Sequence, residues 1–135
     1  MEVRKNRDRT GRPKREKYDL QERLIDFAVL ILEIAEALPK TSIENHIAGQ
    51  LIRCGTSPAA NYGEARAAES RKDFVHKMRV CLKELRETLV WLKVIKKKRL
   101  LQRFDKLDFA IVENDELISI FVTSTGTAKR NDEKG

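Results

Sequence analysis

A row of cationic side chains is the pattern in this sequence that could do chemistry, and that chemistry is phosphate binding. The row lies within residues 70–99 and consists of Lys72, His76, Arg79, Lys83, Arg86, Val90 and Lys93, with Lys97 one step further. Lysine and arginine at helical spacing present a line of charge to a polyanion. Such a line is equally the ordinary solvated face of a helix, so the pattern alone leaves both interpretations open.

The apolar residues of the same segment predict that it is one long helix. They recur at the spacing of a single helix face, with Thr88 as the polar interruption: Phe74, Met78, Cys81, Leu85, Leu92 and Ile95. Each member of the row precedes a position on this face by two residues, which is about 200° around an α-helix. The helix should therefore bury one face under other helices and expose its cations on the other.

Composition predicts a single soluble helical domain with tails. The chain has 135 residues, of which 41% are hydrophobic and 36% charged, with six glycines and three prolines. No apolar run reaches the ~18 residues of a membrane span, and no signal-like segment follows the basic N-terminus. We therefore expect a cytoplasmic protein without membrane association. Cys54 and Cys81 lack CxxC spacing and are expected to be buried thiols.

Cap residues and stop signals predict four helices in an up-down-up-down antiparallel bundle. The predicted spans are Asp19 to Leu38, Thr41 to about Ala68, Ser70 to about Arg99, and Asp105 to Ser124 with Gly126 as the stop. Pro58 should kink the second helix. The predicted organisation is a disordered basic N-terminal arm in residues 1–17, the bundle in 18–125 and a flexible tail in 126–135.

Charge is segregated along the chain. Acidic residues outnumber basic ones in 18–38 and 105–125, whereas Lys and Arg dominate 1–17 and 70–99, and the formal net charge is +7. The third helix could therefore pair with acidic helices, within a subunit or between subunits, or bind an outside polyanion. The basic arm could help to bind RNA or DNA, or it could only aid solubility.

The sequence carries no pattern typical of an enzyme. It has no phosphate loop, nucleophile elbow, HExxH or zinc-ligand cluster. His46 and His76 lie on different predicted helices and are expected at the surface or its boundary. The acids of the first and fourth helices face away from the apolar faces, and the repeated ExxH of di-metal bundles is absent. We expect no catalytic residues, no metal, no cofactor and no small-molecule substrate.

Asn61 and Glu64 form the most notable polar pair, one turn apart beyond Pro58. Polar side chains near a bundle interior need partners, which predicts a structural polar network joining the second helix to the third or to a neighbouring subunit. The alternative is a contact surface shared with Arg66, Arg71 and Lys72.

Two stretches resemble a known family. Residues 57–74, SPAANYGEARAAESRKDF, and 82–92, LKELRETLVWL, are similar to four-helix-bundle proteins encoded within intervening sequences of bacterial 23S rRNA genes. The matching positions are Asn61, Glu64, Ala65, Ser70, Asp73, Phe74, Lys83, Glu84, Glu87, Thr88, Trp91 and Leu92. The resemblance spans about residues 19–100. It implies a ring-like homopentamer, for which the broad apolar arc of the first helix is a plausible interface. Related proteins accompany reverse transcriptases in retroelements and bind nucleic acid through basic surfaces.

Sequence and resemblance together predict a non-enzymatic homo-oligomeric bundle that binds RNA or DNA through phosphate contacts, without sequence preference, as an accessory to a reverse transcriptase or a ribosomal RNA element. The candidate contacts are Arg66, Arg71, Lys72, Arg79, Lys83, Arg86 and Lys93. Trp91 should pack inside, so base stacking is not expected. The alternative is an interaction scaffold, in which acidic helices of neighbouring subunits cover the basic row and the oligomer docks a protein.

Overall fold

The computed structural model describes residues 19–134, and the side-chain surroundings of residues 19–127. Its four α-helices are α1 (Leu20–Ala37), α2 (Ser42–Arg66), α3 (Arg71–Lys98) and α4 (Asp105–Lys134). No described residue lies in a strand, and the helices pack against one another, so the predicted all-α class and helical bundle are confirmed. The predicted N-terminal arm, residues 1–17, lies outside the described residues.

Three helices begin at residues that the sequence marked as caps. The side chain of Asp19 accepts a hydrogen bond from the Gln21 amide at 2.9 Å, and Ser70 accepts from the Asp73 amide at 3.1 Å. Thr41 accepts from the Glu44 amide at 3.4 Å. Each bond satisfies a backbone N–H that the first turn of a helix leaves without a partner. These local contacts explain why the predicted starts of α1, α2 and α3 are confirmed.

The end of α4 differs from the prediction. The helix passes through Gly126 and continues to Lys134, so the predicted end at Ser124 was wrong. Residues 126–134, which were predicted to form a flexible tail, are helical. Glycine costs a helix about 1 kcal/mol relative to alanine, and it terminates a helix only where it takes a left-handed conformation. Gly126 does not take that conformation, and the space where its Cβ would be is open.

The core is built from one apolar face of each helix. The face predicted for α3 is buried almost throughout, and it includes the polar Thr88, whose hydroxyl donates to the Glu84 carbonyl at 2.7 Å. Its buried members are Met78, Cys81, Leu85, Thr88, Leu92 and Ile95. Phe74 is only half-buried, because it lies at the first turn of α3, where the bundle ends. The periodicity of the sequence thus places the core of α3 correctly.

Residues near the start of α1 contact two other helices. Gln21 of α1 donates to the Ala59 carbonyl of α2 at 2.8 Å, and Arg23 binds Glu113 of α4. The up-down-up-down order of the helices stays a prediction. Pro58 lies inside α2, which continues through it, and the kink there stays a prediction. None of the described helices is both long and apolar enough to cross a membrane.

Candidate nucleic-acid interface

The row of cations singled out in the sequence lies on the outer face of α3. All eight positions are exposed: Lys72, His76, Arg79, Lys83, Arg86, Val90, Lys93 and Lys97. We use the term cation row for Lys72, Arg79, Lys83, Arg86 and Lys93. These five residues share one side of the helix because each lies about 200° from a buried position two residues later. The structure therefore brings five of the seven predicted contacts together.

The five side chains of the cation row have no ion pair or hydrogen bond with any described residue. Other lysines of α3 differ in this respect. Lys77 binds Glu64 of α2 at 2.9 Å, and Lys96 binds Asp108 of α4 at 2.7 Å. Within a single chain, acidic residues of α2 and α4 thus pair with lysines on the flanks of α3. The positive charge of the cation row on its outer face has no acidic partner among the described residues.

On the α2 side, an arginine holds the acids of α3. Arg53 binds Glu84 at 3.4 Å and also binds Glu87. Glu87 in addition accepts from the indole Nε1 of Trp91 at 3.3 Å. The two carboxylates in the middle of α3 are therefore turned towards α2 and away from the cation row. Glu84, Glu87 and Trp91 belong to the stretch that carries the family resemblance, and their contacts here are between helices.

On the α4 side, the buried side-chain amide of Asn114 forms hydrogen bonds with the backbone of α3. Asn114 is fully buried, and we assign its amide the orientation that satisfies both polar atoms, in which the nitrogen donates to the Leu85 carbonyl at 3.0 Å and the oxygen accepts from the Leu89 amide at 3.1 Å. No sequence pattern predicted a functional or structural role for Asn114. The only signal was one asparagine on the apolar face of helix 4, and periodicity cannot show that it meets a peptide group. Asn114 and Arg53 together fix the orientation of α3 from both sides.

Asn61 and Glu64 do not form the single buried network that was predicted. The Asn61 amide donates to the Ser57 carbonyl at 3.0 Å and to the Ser57 hydroxyl at 2.7 Å, both within α2. Glu64 is exposed and binds Lys77, and this hydrogen bond raises the pKa of Lys77. Only Glu64 therefore joins α2 to α3 among these contacts, because the Asn61 amide donates to Ser57 of its own helix.

The two remaining predicted contacts, Arg66 and Arg71, differ in their relation to the cation row. Arg66 pairs with Asp19 at 3.5 Å and lies 6.0 Å from the centre of the Tyr62 ring, so it faces α1. This position argues against Arg66 as a member of the same surface. Arg71 is exposed at the first turn of α3, beside Lys72, and extends the row towards the N-terminus of the helix.

The aromatic residue closest to the row in sequence is Trp91, which is half-buried rather than inside the core. Its ring meets His46 edge to face, with centroids 6.2 Å apart and an interplanar angle of 79°. No phenylalanine, tyrosine or tryptophan lies in the cation row. Two aliphatic side chains are also open: Val90 of α3 is 58% exposed, and Ile43 at the start of α2 is 64% exposed.

A second open surface lies on α1. Ile25, Val29 and Leu32 follow one another at helical spacing, and they are 39%, 50% and 39% exposed. We use the term α1 apolar strip for these three residues. Three aligned aliphatic side chains in water are unfavourable unless something covers them, and such patches often mark interfaces. Ile25 and Leu32 belong to the broad apolar arc that the sequence predicted for this helix, whereas Val29 was not assigned to it.

The remaining titratable groups do not gather into a chemical site in the described part of the chain. No three His, Cys, Asp or Glu side chains there are close enough to hold a metal ion. Cys54 and Cys81 are free and buried, as expected. Burial raises the pKa of the Cys81 thiol to about 12, which leaves it protonated and unreactive near neutral pH.

Both the sequence and the fold of this chain are similar to those of known proteins. A family profile of 23S rRNA-intervening sequence proteins matches residues 16–120. A crystal structure of a protein of unknown function from the S23 ribosomal protein family of Bacteroides thetaiotaomicron is similar, with a TM-score of 0.72 and 28% sequence identity. The similarity covers 79% of this chain and 98% of that one. No curated protein matches the sequence.

Proposed function

Because this chain belongs to the 23S rRNA-intervening sequence protein family, we propose that it is a non-enzymatic, homo-oligomeric bundle that binds RNA or DNA through the cation row of α3. The observation that supports this most is the lack of any acidic partner for Lys72, Arg79, Lys83, Arg86 and Lys93 among the described residues. Five aligned and unpaired cations repel one another in the free protein, and a polyanion relieves that repulsion.

The contacts that this surface offers are to phosphates. Lysine and arginine bind phosphate oxygens in any sequence, whereas reading bases requires side chains that reach base edges in a groove or stack on bases. The row has no large aromatic side chain and lies on an open helix face. We therefore infer binding without sequence preference. In the cytoplasmic setting expected from the sequence, the ligand would be a ribosomal RNA element or a nucleic acid handled by a reverse transcriptase.

Assembly would strengthen such binding. An oligomer that displays several cation rows converts weak contacts of one subunit into tighter overall binding, because later contacts become intramolecular. The α1 apolar strip supports self-association on a face different from the cation row. The family resemblance suggests five subunits, which we include in the proposal.

The binding proposal is tested by salt dependence. With five phosphate contacts per subunit, the slope of log K against log salt should be about −3.5 to −4.5, so affinity should fall on the order of 10²-fold between 50 and 200 mM salt. Filter binding or fluorescence anisotropy with a short RNA and the same DNA sequence measures this. Binding that is insensitive to salt, or absent near physiological ionic strength, would remove the proposal.

A scaffold that docks a protein is the second candidate. The openness of Val90 supports it, because an exposed aliphatic side chain one turn from Arg86 on the outer face of α3 suits a protein surface better than a phosphate backbone. Charge reversal by Arg79→Glu with Lys83→Glu separates the two. If the oligomer dissociates, the row is an interface between subunits. If the oligomer persists and nucleic-acid binding is lost, the row is the binding site.

A further inference from the structure

The C-terminal end of α3 contains a shallow depression whose wall consists mainly of the aliphatic stems of lysine and arginine side chains. Its volume is about 510 Å³, and its lining residues are Lys93, Lys96, Lys97 and Arg99. Lys93 belongs to the cation row, so the depression lies at one end of that surface. Because the stems form the wall, the charged ends of these side chains lie towards the solvent and can contact a ligand from around the rim.

The positive charge of this depression is mostly uncompensated. Lys96 is held by Asp108 of α4 at 2.7 Å, which fixes one side chain of the site and cancels one charge. Lys93, Lys97 and Arg99 have no ion pair or hydrogen bond of their side chains with a described residue. Lys93 and Lys97 are also four residues apart on one helix face, where like charges destabilise the helix.

Arg99 has an unusual backbone conformation for its residue type. With φ 57 and ψ 51 it is left-handed, and no other non-glycine residue of the described chain has a positive φ. Its amide donates to the Ile95 and Lys96 carbonyls, and the Leu100 amide also donates to Ile95. Glycine is the favoured residue where a helix ends in this way. The protein therefore places an arginine where the backbone favours glycine, and its guanidinium makes no compensating contact within the chain.

We propose that this depression is a phosphate-binding site, in which Lys93, Lys97 and Arg99 contact the phosphate and Lys96 is held at its edge by Asp108. Phosphate oxygens accept charge-assisted hydrogen bonds from lysine and arginine, and arginine can offer two donors to one phosphate. The inference deepens the proposed function, because the same row would guide a nucleic-acid backbone to this end of α3. A terminal phosphomonoester, an internal phosphodiester and a free polyphosphate share this chemistry.

A purely structural role accounts for part of this cluster only. Cations in the last turn complement the partial negative charge of a helix C-terminus, and Lys96, Lys97 and Lys98 all lie there. Lys98 does not line the depression, however, and serves as the matched control. The dipole also gives no reason for arginine in a left-handed position, because glycine there would leave the three lysines in place.

The experiment compares the full-length protein with Arg99→Gly, Lys97→Gln and Lys98→Gln. Inorganic pyrophosphate is titrated by calorimetry at constant ionic strength. We expect Arg99→Gly and Lys97→Gln to weaken pyrophosphate binding about tenfold each, as expected for loss of one charge-assisted contact, and Lys98→Gln to change it less than twofold. Arg99→Gly should also melt at the same or a higher temperature, because it removes the left-handed arginine. If Arg99→Gly binds pyrophosphate more weakly but melts at the same or a higher temperature, the lost affinity is not caused by unfolding.

Oligonucleotides identify the source of the phosphate. One single-stranded sequence is used with a 5′-phosphate and with a 5′-hydroxyl. If Arg99→Gly weakens binding of the 5′-phosphorylated oligonucleotide only, the site binds a terminal phosphomonoester. If it weakens binding of both oligonucleotides equally, the site binds an internal phosphodiester of the backbone. If the wild-type protein binds pyrophosphate but neither oligonucleotide, the proposed function fails while the phosphate site stands. If Arg99→Gly and Lys97→Gln bind pyrophosphate as tightly as Lys98→Gln, the site is overturned.

Discussion

Gly55 of α2 lies so close to Ile31 of α1 that a Cβ atom at position 55 would be 2.6 Å from Ile31 Cγ2 and 3.1 Å from Ile31 Cβ. Ile31 is fully buried and β-branched, so its side chain has little room to move. The absence of a side chain at Gly55 therefore sets the distance between the two helices.

Substitution of this glycine should destabilise the protein. We expect Gly55→Ala to lower the free energy of unfolding by about 1–3 kcal/mol through overpacking. The matched control is Gly49→Ala in the same helix, where a Cβ meets nothing within 4 Å. It should stabilise by roughly 0.5–1 kcal/mol through helix propensity. Urea unfolding of both variants measures the difference, and equal midpoints would contradict this account of the α1–α2 contact.

The buried amide of Asn114 should contribute measurably to stability. Asn114→Leu keeps most of the volume but removes both hydrogen bonds to the α3 backbone, and we expect a loss of about 1–3 kcal/mol. Asp115→Asn, at the exposed neighbouring position, should stay within about 0.5 kcal/mol of the wild-type protein. Thermal unfolding checks both values. An Asn114→Leu variant as stable as the wild-type protein would show that these two hydrogen bonds contribute nothing to the contact between α3 and α4.

The buried thiol of Cys81 predicts a loss of stability in alkaline solution. Its pKa is raised by burial from the ordinary 9.0 to about 12, so the unfolded chain releases this proton more easily than the folded one. The free energy of unfolding should therefore fall as pH rises above about 9, whereas below that pH the residue has no such effect. Between pH 8 and 10.5 the wild-type protein should lose roughly 1–2 kcal/mol more than Cys81→Ala. Urea unfolding at several pH values tests this, and parallel curves would refute it.

Single neutralisations in the cation row should change the salt dependence of binding by a fixed amount. We expect Lys83→Gln to weaken RNA binding and to reduce the magnitude of the log–log salt slope by about 0.7–0.9, the share of one phosphate contact. Lys40→Gln removes the same charge from a residue outside α3, whose ammonium donates to the Glu36 carbonyl at 3.1 Å. The slope of this control should not change. Equal effects of both substitutions would indicate attraction by net charge alone.

The α1 apolar strip gives a prediction about assembly. Val29→Glu places a charge in the middle of the strip at a position that is half exposed in the single chain, so the subunit should still fold while self-association weakens. Light scattering after size-exclusion chromatography measures the mass of the particle. Val90→Glu is the matched variant on α3, and it should leave the mass unchanged. Dissociation by Val90→Glu instead would place the interface on the cation row.

Features that depend on one helix at a time were predictable from the sequence. The caps at Asp19, Thr41 and Ser70 act over two or three residues, and the buried face of α3 follows from spacing alone. The exposure of the cation row follows from the same spacing. Each of these depends on local hydrogen bonds or on the period of the helix, which the sequence records directly.

Features that depend on two helices were not predictable. The contact of Asn114 with the Leu85 and Leu89 peptide groups requires the relative rotation of α3 and α4, which no pattern within one helix contains. The same reason explains why Asn61 was assigned to a network that it does not join, and why Arg66 was placed with the cation row although it faces Asp19. The Arg53 contacts with Glu84 and Glu87 likewise become visible only when α2 and α3 are placed side by side.

Because α3 is contacted by α2 and α4 on its two flanks, the spacing of the cations on its outer face is fixed, and this spacing sets the length of nucleic acid that one subunit can contact. From Lys72 to Lys93 the helix rises about 32 Å, at 1.5 Å per residue. That length equals roughly ten base pairs of B-form DNA at 3.4 Å each. Each subunit should therefore protect about one helical turn of duplex, and duplexes shorter than this should lose affinity with every base pair removed.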